Sequence, residues 1–270
     1  MKRTLASFLA LLLVFCMFGT AVFADDSTVT AYVTISDDTG TLVLARQAVR
    51  VSDTDGDGAI TISDALFAAH EAKFPGGAAA GYLAEESVYG LSLVKLWGIE
   101  NGGSYGYYVN NASPMSLLDP ISAGDHLTAY AYTDLIAWSD TFSYFDADTA
   151  AVAVGEELTL TLVAAGFDAA WNPVVLPVAG AALTVNGKTT EFVTDADGKV
   201  TLTLDAAGTA VISATSETMT LVPPVCVATV TDPDIPYTGD SAATALSAAL
   251  CLLSLAGLAV LGVKRNHHEE

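Results

Sequence analysis

With 31 Asp and Glu against 10 Lys and Arg, this 270-residue chain carries a formal net charge of −21, and such a surface repels phosphate backbones, which excludes nucleic acid as a partner. Hydrophobic residues make up 52% of the chain, but two apolar ends inflate that figure, so the body between them does not read as membrane-embedded; it is long enough for two small domains. Of the three cysteines, Cys16 and Cys251 fall in those ends, which leaves Cys226 alone in the body and excludes an intramolecular disulfide there.

The N-terminus opens with Lys2 and Arg3, followed by an apolar run over residues 5–18. Ala21-Val22-Phe23-Ala24 then precedes Asp25-Asp26, so residues 1–24 are expected to be a signal peptide cleaved between Ala24 and Asp25. Residues 28–36 alternate as a strand, and 41–51 continue as extended chain rich in Val and Leu. Residues 62–74 change to helical spacing through Ala65, Leu66 and Ala69. Thr61 can cap this helix with Asp64 three positions on, and Pro75-Gly76-Gly77 ends it.

Between the second strand and the helix lies Asp53-Thr54-Asp55-Gly56-Asp57-Gly58-Ala59-Ile60-Thr61-Ile62-Ser63-Asp64. Calcium takes six to eight oxygen ligands, and alternating carboxylates supply them within one tight loop. Asp53, Asp55 and Asp57 offer side chains, Gly58 permits the turn, Ala59 offers its carbonyl, Thr61 a hydroxyl or a bound water, and Asp64 closes the loop. The segment resembles the calcium loops of EF-hands and dockerins, with a strand rather than a helix leading in and a single copy where dockerins have two, which argues against cohesin docking. The ion is expected to be structural, Ca2+ fixing the start of the helix, and a site of about 10⁻⁴ to 10⁻³ M is adequate outside the cell.

Residues 91–97, 105–109 and 126–132 read as further strands, so residues 25–139 are expected to form an α+β module, one main helix packed on a sheet. Its aromatic pattern runs from Leu96-Trp97-Gly98-Ile99 through Tyr105-Gly106-Tyr107-Tyr108-Val109-Asn110 to Gly124-Asp125 and Tyr130-Ala131-Tyr132. Over residues 28–134 this resembles the transcobalamin C-terminal-like domain. That resemblance implies a corrinoid as a possible ligand, although the helical barrel that completes such sites in the family is missing from this chain. Trp97, Tyr105, Tyr107, Tyr108, Tyr130 and Tyr132 are candidate ligand-binding residues that could stack on a flat ligand such as a sugar; core packing is the competing role.

Residues 140–231 read as strands only: 157–163 alternate cleanly, and 181–185, 191–194, 199–204 and 209–214 follow at short intervals. Asn186-Gly187 and Asp197-Gly198 are hairpin turn signals, and the pattern predicts an all-β sandwich. The phrase "TDADGKVTLTL" at residues 194–204 resembles bacterial Ig-like surface modules.

Residues 232–240 form a linker ending in Ile235-Pro236-Tyr237-Thr238-Gly239, and residues 241–263 would span roughly 35 Å as a transmembrane helix before the basic tail 264–270. Pentapeptide, apolar span and basic tail together resemble an LPxTG-type cell-wall sorting signal, with Ile235 in place of Leu. The resemblance implies cleavage between Thr238 and Gly239, with sortase and peptidoglycan as partners. The only histidines of the body, His70 and His126, have no motif-level nucleophile beside them, and phosphate loops, nucleotide fingerprints and zinc spacings are missing. The chain therefore reads as a non-catalytic, calcium-binding, cell-wall-anchored surface protein, an adhesin or ligand-binding module, with a glycan, a host surface or a corrinoid as possible ligand. The alternatives are a corrinoid-binding protein, a stalk without a ligand of its own and, most remote, a carboxylate-based hydrolase.

Overall fold

The computed structural model describes residues 28–170 and 172–232. The signal peptide with Ala24 and Asp25, the sorting motif with Thr238 and Gly239, and the apolar stretch 241–263 lie outside the described residues. No described helix is long and apolar enough to cross a membrane.

The first half builds a four-stranded sheet in the order β2-β1-β6-β5, from β1 (Thr28–Ser36), β2 (Leu42–Ser52), β5 (Tyr105–Val109) and β6 (His126–Ala131). β1 runs antiparallel to β2 and parallel to β6, and β5 returns antiparallel on β6. Between β2 and β5 the chain inserts α1 (Ile62–Lys73), the short α2 (Ala78–Gly81) and a separate hairpin of β3 (Leu83–Ser87) and β4 (Gly90–Lys95). The helical period over 62–74 works as expected: Ile62, Ala65, Leu66 and Ala69 are fully buried in one cluster with Val33, Ile35 and Val51 of the sheet and Leu96 beyond β4. Thr61 and Asp64 form the capping box, each satisfying the other's backbone N–H at the helix start.

The second half is a sandwich. One sheet runs β10-β9-β7-β15, with β13 added along β9, and the other runs β12-β11-β14-β16-β8. Its strands are β7 (Thr141–Phe145), β8 (Thr149–Ala153), β9 (Glu157–Phe167), β10 (Pro173–Pro177), β11 (Ala182–Val185), β12 (Lys188–Val193), β13 (Lys199–Thr203), β14 (Gly208–Thr215), β15 (Leu221–Val222) and β16 (Cys226–Thr231). Leu160, Leu162, Leu183, Leu202 and Ile212 pack between the sheets, as the alternation of β9 requires. Asn186-Gly187 makes the β11–β12 hairpin with both residues at positive φ. Asp197-Gly198 does not close a hairpin: β12 lies in one sheet and β13 pairs with β9 in the other, so this turn carries the chain between sheets.

The expected fold class needs correction. Strands hold 51% of the structure and helix 8%, so the molecule is mainly β and the α+β assignment of the first half fails. The helical period over 62–74 reveals one helix against a sheet but not how small its share is. In the fold its 12 residues are part of a connection between β2 and β5 of a sheet.

Candidate metal centre

The 53–64 segment leaves β2 at Ser52 and enters α1 at Ile62, a strand–loop–helix path. Carboxylate oxygens of Asp53, Asp55 and Asp57 lie within 4.8 Å of one another. Backbone amides aim them. Gly56 N–H donates to Asp53 Oδ1 at 2.7 Å and Gly58 N–H to Asp53 Oδ2 at 2.9 Å. Asp57 N–H donates to Asp55 Oδ1 at 3.1 Å, and Ala59 N–H to Asp57 Oδ1 at 2.8 Å. Gly56 and Gly58 sit at φ +79° and +91°, the left-handed conformations that let the loop turn its amides inward.

These contacts split the carboxylates. The N–H groups of Gly58 and Gly56 hold Asp53 below its usual pKa. At Asp55 the Asp57 N–H pulls downward, but desolvation and the charges of Asp57 and Asp64 outweigh it and leave the carboxyl raised. Carboxylates at about 4 Å repel by roughly 1 kcal/mol in water, and a bound cation would turn that repulsion into attraction.

Asp64 does not join the three. It is 2% exposed, and its carboxylate is filled by protein donors. Thr54 N–H at 2.8 Å and the Thr54 hydroxyl reach Oδ1. Thr61 N–H at 2.9 Å and the Thr61 hydroxyl at 2.8 Å reach Oδ2. Thr61, itself 1% exposed, is thereby committed to the cap. Two residues expected as ligands thus tie both ends of the loop to the helix.

The six aromatic candidates sit in packing. Trp97 lies against His70 and Phe74, with ring centroids 5.2 Å apart in each pair. The Tyr105 hydroxyl lies 2.8 Å from the carbonyls of Val94 and Ile99, and Tyr107 packs on the core of the first half. Tyr108 stacks on Phe142 of the second half, and Tyr130 and Tyr132 belong to the same cluster. A Cβ at Gly106 would run into the Tyr130 ring, which is why the tyrosine strand is broken by glycine there. Exposed apolar side chains occur elsewhere: Tyr89 and Val88 at the β3–β4 turn, and Leu135, Ile136 (94%) and Trp138 (61%) between β6 and β7. This second loop is fixed by Asp134, which accepts from Ile136 N–H, Ala137 N–H and the Ser139 hydroxyl, and by Asp140, which accepts from Thr133 and Asp134. The Ala137 and Ser139 contacts, with Ile136, lower the Asp134 carboxyl to about 2.

His70 is fully buried: its Nδ1 lies 2.7 Å from Leu66 O, and Nε2 accepts from Trp97 N–H at 2.9 Å. Burial lowers its pKa, against the Leu66 contact, and favours the neutral ring that this pairing needs. His126 lies 2.8 Å from Thr34 Oγ1 through Nε2 and 3.1 Å from Asp148 Oδ2 through Nδ1. Hydroxyl, imidazole and carboxylate stand in the order of a nucleophilic triad, but Thr34 is 1% exposed, so its hydroxyl is closed to a substrate carbonyl. Burial pushes the Cys226 thiol up to about 12, which leaves it a core side chain rather than a nucleophile.

No family model matches this chain, and no curated protein does. Solved structures similar to it are tandem immunoglobulin repeats. The N-terminal four Ig domains of Dscam1 isoform 4.44 are 10% identical over 55% of this chain and 31% of that one, with a TM-score of 0.21. The tandem Ig repeats of Dlar are 12% identical over 55% of this chain and 75% of that one, with a TM-score of 0.23. The alignment to the first of these spans less than a third of that structure's length. The second half is described by its own strand order, a two-sheet β-sandwich.

Proposed function

We propose that this chain is a non-catalytic surface module, exported and fixed to the cell wall, whose first half (25–139) is stabilised by one calcium ion held at Asp53, Asp55 and Asp57. The observation that carries the metal is the convergence of three carboxylates on one loop whose amides are turned to orient them. The Ala59 carbonyl and water would complete the six or more oxygens that calcium takes, while Asp64 and Thr61 hold the loop to the helix. Export and anchoring rest on the sequence of residues 1–24 and 235–270. An adhesive role is favoured over a bare stalk by the rigid loop at 133–140, which presents Ile136 and Trp138 to solvent. The corrinoid alternative finds no support in two grooves of about 520 and 430 Å³, whose linings, rich in Thr, Ser and Gly with Asn186, Glu217 and Met219, hold no histidine to meet a cobalt ion.

Calorimetric titration of calcium into the full chain tests the metal. One site is expected at about 10⁻⁴ to 10⁻³ M, weakened at least about tenfold in Asp55→Asn. Absence of binding heat and of any calcium-dependent change in the wild type sinks the proposal.

A further inference from the structure

Among the contacts by which the two halves meet, one is apolar and one polar. In the apolar one, the rings of Tyr108 and Phe142 stack with centroids 3.6 Å apart and planes 4° from parallel, beside buried Tyr130 and Val222. In the polar one, Asp148, on the turn between β7 and β8, reaches across to the first half. Its Oδ2 takes His126 Nδ1 at 3.1 Å and lies 3.9 Å from Arg46 Nε. Arg46 Nε is buried and has no hydrogen-bond partner, so this carboxylate is its nearest counter-charge. The guanidinium also lies 3.9 Å over the Tyr32 ring.

Arg46 reaches that place by unusual backbone. It is a non-glycine residue at φ +41°, in a stretch where the β1–β2 register shifts, and its N–H donates to Thr34 Oγ1 at 3.0 Å. Bulges of this kind re-aim a side chain, and strain at a non-glycine residue persists where surrounding contacts demand it. The bulge thereby sets Arg46 between the Tyr32 ring and the Asp148 carboxylate. Thr34 Oγ1 accepts from Arg46 N–H and lies 2.8 Å from His126 Nε2, whose Nδ1 lies 3.1 Å from Asp148 Oδ2, so Arg46, Thr34, His126 and Asp148 form one continuous hydrogen-bonded chain.

We propose that Asp148 is a latch that holds the two halves in a single orientation, with His126 and Arg46 as its catch. The groups facing it are His126 and Arg46 of the first half, the latter lying over the Tyr32 ring, with the Cys226 thiol on its own side. Asp125, next to His126 in sequence, is taken up by Asn110 Nδ2 and Ser122 N–H. The His126 contact, opposed by desolvation and helped by the charges of His126 and Arg46, holds the Asp148 carboxyl below the usual range. A lowered carboxyl pKa means the latch is closed above the ordinary value of about 3.9 and opens as pH falls through the lowered value.

The test is a spin-label distance measurement on the full chain, with Tyr89→Cys and Lys188→Cys as label sites and Cys16 and Cys251 replaced by Ala; Cys226 is buried and escapes labelling. The expected result is one narrow distance at pH 7 that broadens in Asp148→Asn. An Asp148→Asn distribution as narrow as the wild type overturns the latch. Should the variant not fold, acid titration of the labelled wild type decides. Broadening that precedes loss of the β-sheet circular-dichroism signal supports the latch, and a distance that stays narrow until that signal is lost overturns it.

Discussion

In the 53–64 loop, three carboxylates stand at the surface and are aimed by amides two to five residues away in the chain. At the junction of the two halves a single, part-buried carboxylate, Asp148, meets a histidine 22 residues away and an arginine from another strand. The first arrangement is local, repulsive within itself and suited to a cation from outside. The second is long-range and carries its own counter-charges. Acidic residues in so acidic a chain therefore have to be told apart by what already occupies their oxygens. Asp64 makes the point: by spacing it belongs with the loop, but its four donors make it part of the helix cap.

The sharpest break in this contrast is at the junction's apolar side. Phe142→Ala removes a 4%-exposed ring and its stack with Tyr108, and a loss of about 3–5 kcal/mol is expected in chemical unfolding, the same with and without calcium. Asp64→Ala comes next. It strands the buried donors of Thr61 and removes the acceptor of Thr54, and should cost about 2–3 kcal/mol in EDTA as well as in calcium. Were Asp64 a ligand in the first instance, its loss in EDTA would be small, and the same unfolding curves would reveal it. The mildest perturbation is pH. Asp55 is raised and Asp148 lowered, so on acidification protons compete with calcium at the loop before they reach the junction. Calcium titrations at successively lower pH should show affinity falling while the inter-half distance holds; a distance that changes first reverses the order.

What could be read from the sequence follows the same division. The two-residue spacing of Asp53, Asp55 and Asp57, the helical period at Ala65, Leu66 and Ala69, the Thr61–Asp64 box and the Asn186-Gly187 turn are all settled within a few residues, and local pattern suffices for them. The helical period overstates the helix because period reveals an element and not its share of the fold. The aromatic set was ambiguous for a related reason. Tyr108 alternates like an exposed residue on an edge strand, and only Phe142, 34 positions on, covers it. Arg46 and Asp148 carry no sequence signal at all, since neither a bulge nor a contact between halves has a periodicity.

The claim on which the account turns is that calcium holds the 53–57 carboxylates together and thereby steadies the first half. Differential scanning calorimetry of the full chain in 5 mM-order calcium, roughly ten times the expected dissociation constant, against excess EDTA measures it directly. A higher melting temperature in calcium, abolished by Asp55→Asn, is the expected result. Superimposable melts of the wild type in the two buffers would contradict it.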